Sequence, residues 1–244
     1  MLSKRSGKGL PKRFTELKFF GRGWRVSVAE GGRRTPREFF AKPVLEVTRC
    51  LIGCTLRSRL GGAMTSGVIV EAEAYAGASD LASHAARLKR GGVLSMSGEP
   101  GIAYIYRSHG LHAMLNVVAE PAGRTAAVLI RAIEPLDGTD VMRQRRGVDK
   151  LELLCSGPGR LCQALGVRLE HHGIDVVTSD LLWLEVGLPP ASISASGRIG
   201  ISKATDRPWR FFETGCPFVS AHRRGMKIES LGTLTGDTIN SDRK

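Results

Sequence analysis

The run Val68-Ile69-Val70-Glu71-Ala72-Glu73-Ala74-Tyr75 decides how this chain folds. Three β-branched residues open it. Glu, Ala, Glu, Ala and Tyr then alternate with the period of two that a strand imposes on its faces, so Glu71, Glu73 and Tyr75 are expected on one face and Ala72 and Ala74 on the other. Gly61-Gly62 stands just upstream between residues 55–60 and 64–75, and the pair of runs predicts a β-hairpin. Alternation of this kind most commonly marks a solvated strand face. Two carboxylates and an aromatic on one side are also the raw material of an acid-base site.

Working outward, residues 43–53 read as a helix with Pro43 at its first turn and Gly53 at its end. Residues 76–101 are rich in Gly, Ser and basic side chains without periodicity and read as a long functional loop or lid. A second hairpin follows, 102–107 and 111–118 around Ser108-His109-Gly110. The continuous apolar run in 126–133 predicts a central buried strand. Residues 139–146 and 159–165 look helical, and 181–186, 198–202 and 209–213 look like short strands. With no internal repeat and no interior linker, the expectation is one α+β domain, residues 37–226, built on a mostly antiparallel sheet with surrounding helices. Residues 227–244 would be a C-terminal tail.

The chain of 244 residues carries a formal net charge of +13 and a pI near 10.1, which points to a polyanionic partner. The charge is mostly a property of one end. Residues 1–37 hold eleven Lys or Arg against Glu16 and Glu30, nine of the thirteen net charges. That segment, residues 1–36, reads as a disordered basic arm adding nonspecific phosphate attraction, with an organelle transit peptide as its rival. The five cysteines form no CxxC pair, which argues for a reducing compartment and against a disulfide framework or zinc site. Cys50 and Cys54, four apart, read as core hydrophobes on one helical face. No run of about 18 apolar residues suggests a membrane span, and the N-terminus lacks an apolar export signal.

Several residues shift the weight from a solvated face toward chemistry. All three tyrosines of the chain, Tyr75, Tyr104 and Tyr106, fall within 75–106, His84 lies between them, and Tyr104 and Tyr106 share a strand face. Asn116 returns along the second hairpin. Arg131 interrupts Val128-Leu129-Ile130-Arg131-Ala132-Ile133, where a guanidinium needs a carboxylate or phosphate partner to be buried. Two basic or glycine-rich stretches stay ambiguous. Ser156-Gly157-Pro158-Gly159 could present N–H groups to a phosphate, although a tight turn that packs the next helix is the plainer reading. Arg143-Gln144-Arg145-Arg146 is either a solvated face or a DNA contact.

Glu71-Ala72-Glu73-Ala74-Tyr75, His84, Tyr104-Ile105-Tyr106, Asn116-Val117, residues 129–135, residues 154–165, Arg198-Ile199-Gly200-Ile201 and Pro217-Phe218-Val219-Ser220 together resemble the 3-methyladenine (alkyladenine) DNA glycosylase family, in order from about Phe39 to Ser220. The resemblance implies a curved sheet with a protruding hairpin that enters DNA. It also implies a base excision repair enzyme that flips alkylated or deaminated purines out of duplex DNA and hydrolyses the N-glycosidic bond. Glu73 would be the general base on water, and Arg131 would hold the backbone phosphate beside it. Tyr75, His84 and Tyr106 would sandwich the flipped base, and Asn116 would screen out guanine. Tyr104 has no matched role and reads as core. Glu71, without one either, should matter less than Glu73.

At the hairpin turn, where the family usually has an intercalating tyrosine, this chain has His109. It is expected to be the DNA wedge, with Met96 in the preceding lid as the alternative plug. No lysine in the matched motifs could form a Schiff base, so a monofunctional enzyme is expected. No metal cluster or nucleotide fingerprint is present, so no cofactor is implied. The partner is double-stranded DNA bearing damaged purines, and the chain is expected to act as a monomer without an obligate protein partner. It would sit in the cytoplasm with the nucleoid if bacterial, or in a nucleus or organelle if eukaryotic. The rivals are a noncatalytic RNA-binding or ribosome-associated basic protein, which would leave Glu73 beside the tyrosines unexplained, and a nucleoside hydrolase, which would call for a cluster of carboxylates on the ribose.

Overall fold

A computed structural model describes residues 32–86 and 96–220 in full, and the backbone of 17–18, 25–26 and 228–230. In chain order the strands are β1 (Leu17–Lys18), β2 (Arg25–Val26), β3 (Thr55–Ser58), β4 (Thr65–Ala76), β5 (Ala103–Ser108), β6 (His112–Ala119), β7 (Ala126–Pro135), β8 (Leu182–Glu185), β9 (Ile193–Ser196), β10 (Arg210–Glu213) and β11 (Ile228–Ser230). The helices are α1 (Arg37–Phe40), α2 (Val44–Leu51), α3 (Thr139–Arg146) and α4 (Pro158–Leu165). The protein is α+β, and every strand pairing described is antiparallel. Its main sheet curls into a half-barrel.

The main sheet runs β11-β9-β10-β4-β7-β6-β5, and β3 joins it against β4 and β8. β4 is its axis. Along one edge it pairs with β7 over almost its whole length; along the other it pairs with β3 through Thr65–Val68 and then with β10 through Glu71–Glu73. The Gly61-Gly62 hairpin expected from the sequence is thus the β3–β4 connection, and the second hairpin is β5–β6. The short β1–β2 pair lies within the expected N-terminal arm; the Thr35 N–H donates to Leu184 O of β8, and Arg33 O accepts from the Val186 N–H just past it. β11 adds to β9 beyond the expected domain end.

The β4–β7 register carries two compensating irregularities. Ile69 faces Ile133 and Glu71 faces Ala132, which leaves Val70 as an extra residue on β4; Ala72 then faces Ile130, which leaves Arg131 as an extra residue on β7. Simple alternation would put Ile69 on the same face as Glu71. The bulge lets Ile69 join Ala72 and Ala74 in the core while Glu71 and Glu73 turn to the opposite side.

That core forms where α2 packs on β4 and β7, and α4 packs on β6 and β7. Phe40, Val47, Leu51, Ile69, Ile130 and Ile133 are among its buried members. Helix α2 ends at Leu51, so Cys54 lies past the helix and not on its face as expected; its thiol is still buried and donates to Cys50 O at 3.2 Å. Burial pushes the Cys54, Cys155 and Cys162 thiols up to about 12, which leaves them as inert core groups. Among the described residues no helix is long and apolar enough to cross a membrane.

Ile130 fixes the β7 side of the bulge from within this core. Ile130→Ala should cost about 2–5 kcal/mol, as truncation of a fully buried aliphatic side chain does, and should lower the urea midpoint in proportion.

Candidate active site

The paired bulges set a short chain of buried charges against the sheet. Arg131 Nε donates to Glu71 Oε1 at 2.8 Å, and Arg131 Nη1 lies 3.3 Å from Glu73 Oε1. Glu71 also accepts from Arg210 Nε at 2.6 Å, from the Ser220 backbone N–H at 2.7 Å and from the Ser220 hydroxyl at 2.8 Å. Glu73 accepts from the Tyr75 hydroxyl at 2.9 Å and from the Ile199 backbone N–H at 2.7 Å. Both carboxylates are 0% exposed. Burial on this scale is tolerable because each charge meets an opposite one and the remaining lone pairs find donors.

The same contacts set the protonation of the cluster. Burial alone would raise the Glu71 carboxyl, but Arg131 and Arg210 outweigh it and hold it below its ordinary value. Burial would lower the Arg131 guanidinium, and the charges of Glu73 and Glu71 hold it up instead. The Tyr75 phenol is pushed well above its usual range by burial and then by the Glu73 charge, so it remains a hydrogen-bond donor.

A cavity of about 450 Å³ opens over the cluster. Tyr75, His84, Tyr106, Asn116 and Arg131, five residues singled out from the sequence, all line it, as do Met96 and His109. Glu73 sits one layer behind, bonded to Tyr75, Arg131 and Ile199, which do line it. The His84 ring lies edge-on to Tyr106 with centroids 4.2 Å apart, and His84 Nδ1 shares a 2.9 Å hydrogen bond with the Tyr104 hydroxyl. Asn116 is held by its amide nitrogen, which donates to Tyr104 O at 3.1 Å. A wall of aromatic rings and a few fixed polar groups is the usual make-up of a small-molecule pocket.

Sequence reasoning missed some of this wall and misread other parts. Tyr104 is not plain core, since its hydroxyl holds His84; the cue was its shared face with Tyr106. Residues 198–202 form a loop, not a strand, because the Ile199 N–H is spent on Glu73 and Arg198 turns inward. Arg198 donates to both Asp80 oxygens at 2.5 and 2.8 Å and to Ala74 O at 2.9 Å, and its guanidinium carbon stands 4.7 Å from the Tyr75 ring centroid. Burial would raise the Asp80 carboxyl, and the Arg198 bonds bring it below its usual value. Neither Asp80 nor this pairing was visible in the sequence.

Met96, the alternative plug, is 2% exposed and packs with Tyr104, Val118 and Ala127 while it lines the cavity. His109 by contrast is exposed at the β5–β6 tip, where the turn is closed by Leu111 N–H to Ser108 O at 3.0 Å and both His109 (φ 51°) and Gly110 (φ 71°) are left-handed. Leu111 beside it is 78% exposed, an apolar side chain at the tip that the sequence reading passed over.

Both ambiguous stretches have structural uses. Arg145 donates to Leu60 O at 2.8 Å and Ala164 O at 3.0 Å, and Arg146 to Leu154 O at 3.0 Å. Gly157 begins α4, with Pro158 against the cavity and Gly159 beneath His112. Among the described residues no group of three or more His, Cys, Asp or Glu is placed to hold a metal ion.

The family model for methylpurine-DNA glycosylase (MPG) matches residues 38–217, which takes in the bulged strands, the aromatic wall and Arg198. The chain belongs to this family. The protein is accordingly a DNA glycosylase, a hydrolase of N-glycosidic bonds in DNA repair. Relatives carrying a provisional assignment as 3-methyladenine DNA glycosylase include one from Rhodopseudomonas palustris (strain BisB18), 48% identical over 191 residues, covering 78% of this chain and 92% of the relative. Another, from Nitrosospira multiformis, is 49% identical over 183 residues, covering 74% of this chain and 91% of its own. A third, from Chlorobaculum parvum, is 43% identical over 196 residues, covering 79% and 93%.

Glu71 is the centre of the charge cluster, and its loss leaves Arg131 and Arg210 short of a counter-charge. Glu71→Gln should destabilise the enzyme by about 3–5 kcal/mol, the usual cost of breaking a buried pair by one partner. Because the folded carboxyl is held down, its stabilisation is full above the ordinary value of 4.5 and is lost as the pH falls through the depressed one. Thermal melts from pH 7 to pH 3 should therefore fall less steeply for Glu71→Gln than for the parent enzyme; parallel curves would remove Glu71 as the acid-sensitive group.

Proposed function

We propose that this enzyme extrudes alkylated or deaminated purines, of the 3-methyladenine, hypoxanthine or ethenoadenine type, from duplex DNA into the aromatic cavity and hydrolyses the N-glycosidic bond with a water activated by Glu73. The observation that carries this reading is the buried carboxylate of Glu73, bonded to Tyr75, Arg131 and Ile199 directly behind a cavity walled by Tyr75, His84, Tyr104 and Tyr106. Extruding a nucleotide costs a few kcal/mol, least for a damaged base, and stacking on aromatic faces, about 1–3 kcal/mol per base, offsets it. Departure of the purine leaves an oxocarbenium-like sugar. An ionised Glu73 in a water-poor site stabilises that developing charge and takes the proton of the attacking water.

Glu73 needs an oxygen lone pair for the water. Of its three partners Arg131 is the most distant, at 3.3 Å against 2.9 and 2.7 Å. An incoming phosphate draws the Arg131 Nη1 away while its Nε stays on Glu71, so arrival of DNA uncovers the base at the moment it is needed. No lysine stands among the described residues lining the cavity, which supports simple hydrolysis to an abasic site over strand cleavage. A noncatalytic RNA-binding role gives the Glu73, Tyr75 and Arg131 cluster no task.

The direct test is incubation with a duplex containing one hypoxanthine, followed by hot alkali to reveal abasic sites. Glu73→Gln should retain damaged-DNA binding while single-turnover excision falls by about 10²- to 10⁴-fold, as expected for loss of a general base. Excision near the parent rate would remove Glu73 from this role.

The β5–β6 tip is proposed to enter the duplex, with His109 filling the gap that the extruded nucleotide leaves. An imidazole is a small wedge, but a flat one held on a tight turn. His109→Ala should shift ethenoadenine toward the stacked state and His109→Tyr toward the extruded state, read by the fluorescence of the lesion in duplex DNA. Identical flipping constants for all three proteins would assign the wedge elsewhere on the tip, beginning with Leu111.

A further inference from the structure

The β5–β6 hairpin separates two concavities. One is the catalytic cavity. The other is a groove of about 800 Å³ between the hairpin and the α3–α4 pair, closed at one end by the turn Leu169–His171. Arg107 lines both, so the two concavities flank the same stretch of the hairpin. The groove has Arg107, Arg145 and Arg168 on its walls with His112 and His171, against Glu170 as its one acidic lining residue.

These cations are presented in different ways. Arg145 is anchored by the carbonyls that end α4 and precede Gly61, and the glycine after α4 makes room for it: a Cβ on Gly166 would lie 3.0 Å from its Nη1. Arg107 is exposed, and its side chain makes no hydrogen bond or ion pair among the described residues. The Arg168 side chain is 74% exposed, with Glu170 only at 4.0 Å, a separation at which an exposed pair contributes little and yields readily to another anion. The opposite wall comes close because Gly159 lies under His112, where a Cβ would stand 2.9 Å from the ring.

We propose that this groove seats the sugar–phosphate backbone of the duplex on the side of the hairpin away from the extruded base. The inference rests on the DNA-binding reading above and deepens it: the hairpin is straddled, with the damaged nucleotide on one flank and an intact backbone held by Arg107, Arg145 and Arg168 on the other. The contact carries no sequence information, as suits a repair enzyme that must work wherever damage falls. An acidic peptide would use the same charges. The groove's position on the other flank of the hairpin that borders the catalytic cavity, with Arg107 shared by both linings, favours the nucleic acid.

Equilibrium binding of the full-length protein to undamaged duplex, titrated over salt, tests it. Arg168→Ala should weaken binding several-fold and flatten the slope of log K against log salt by about one unit, the loss of one phosphate contact. Glu170→Gln should act in the opposite direction and tighten binding. Arg143→Ala, which removes the same charge outside the groove, should have little effect. With duplexes extended on only one side of a lesion, sensitivity to Arg168 should appear for one extension and vanish for the other. Unchanged affinity and slope in Arg168→Ala would overturn the proposal, as would equal losses from Arg168→Ala and Arg143→Ala, which would mark a general field. Should the parent enzyme fail to excise any damaged purine while Arg168→Ala still weakens duplex binding, the groove would stand and the substrate reading would fall.

Discussion

The buried bond between Arg131 and Glu71 is the constraint on which the rest of this structure depends. A guanidinium in the middle of a central strand is tolerable only if a carboxylate meets it, and an unpaired charge there would cost several kcal/mol. Both partners sit at irregularities of the β4–β7 ladder, Arg131 as the extra residue of β7 and Glu71 just after the extra residue of β4. The bulges and the ion pair therefore imply each other. Without the bulges Glu71 and Ile69 would compete for one face of the sheet. Without the pair, neither charge could remain under it.

From that anchor the site is built outward in one direction. Arg131 reaches on to Glu73, Glu73 fixes Tyr75 and the Ile199 loop, and Arg198 backs the Tyr75 ring while it pins the start of the lid through Asp80. On the far side Arg210 and Ser220 close the shell around Glu71 and tie the last described segment of the domain to its central strand. The surroundings of Glu71 and Glu73 differ although the two share a face: Glu71 is met by four donors from Arg131, Arg210 and Ser220, whereas the Arg131 contact of Glu73 is long at 3.3 Å.

The hairpin follows a different logic. Its strands pair with the sheet, but its tip is a tight turn with two left-handed residues, an exposed imidazole and an exposed leucine. Nothing about folding requires Leu111 to face solvent, and its 78% exposure sets it apart from the apolar residues of the sheet. The tip is supported at its base by Tyr104 and Tyr106, so the cavity wall and the projecting element are one piece of backbone.

The amino-acid sequence by itself marked the longer strands, because period-two alternation and turn glycines are local signals: the β3–β4 and β5–β6 hairpins, the apolar β7 and the helices α2, α3 and α4 were legible, as were Glu73, Tyr75, His84, Tyr106, Asn116 and Arg131 as candidates, whereas the short β9 was not. It also required that Arg131 find a partner. Only the tertiary structure decided which one, since Glu71 lies 60 residues away in the chain and the choice rests on the register of two bulged strands. The same holds for Asp80 with Arg198, 118 residues apart, and for Tyr104 beside His84. Strand 198–202 was misread for a related reason: backbone N–H groups follow the best available acceptor, and a buried carboxylate brought close by folding outcompetes a ladder that local propensity alone would favour.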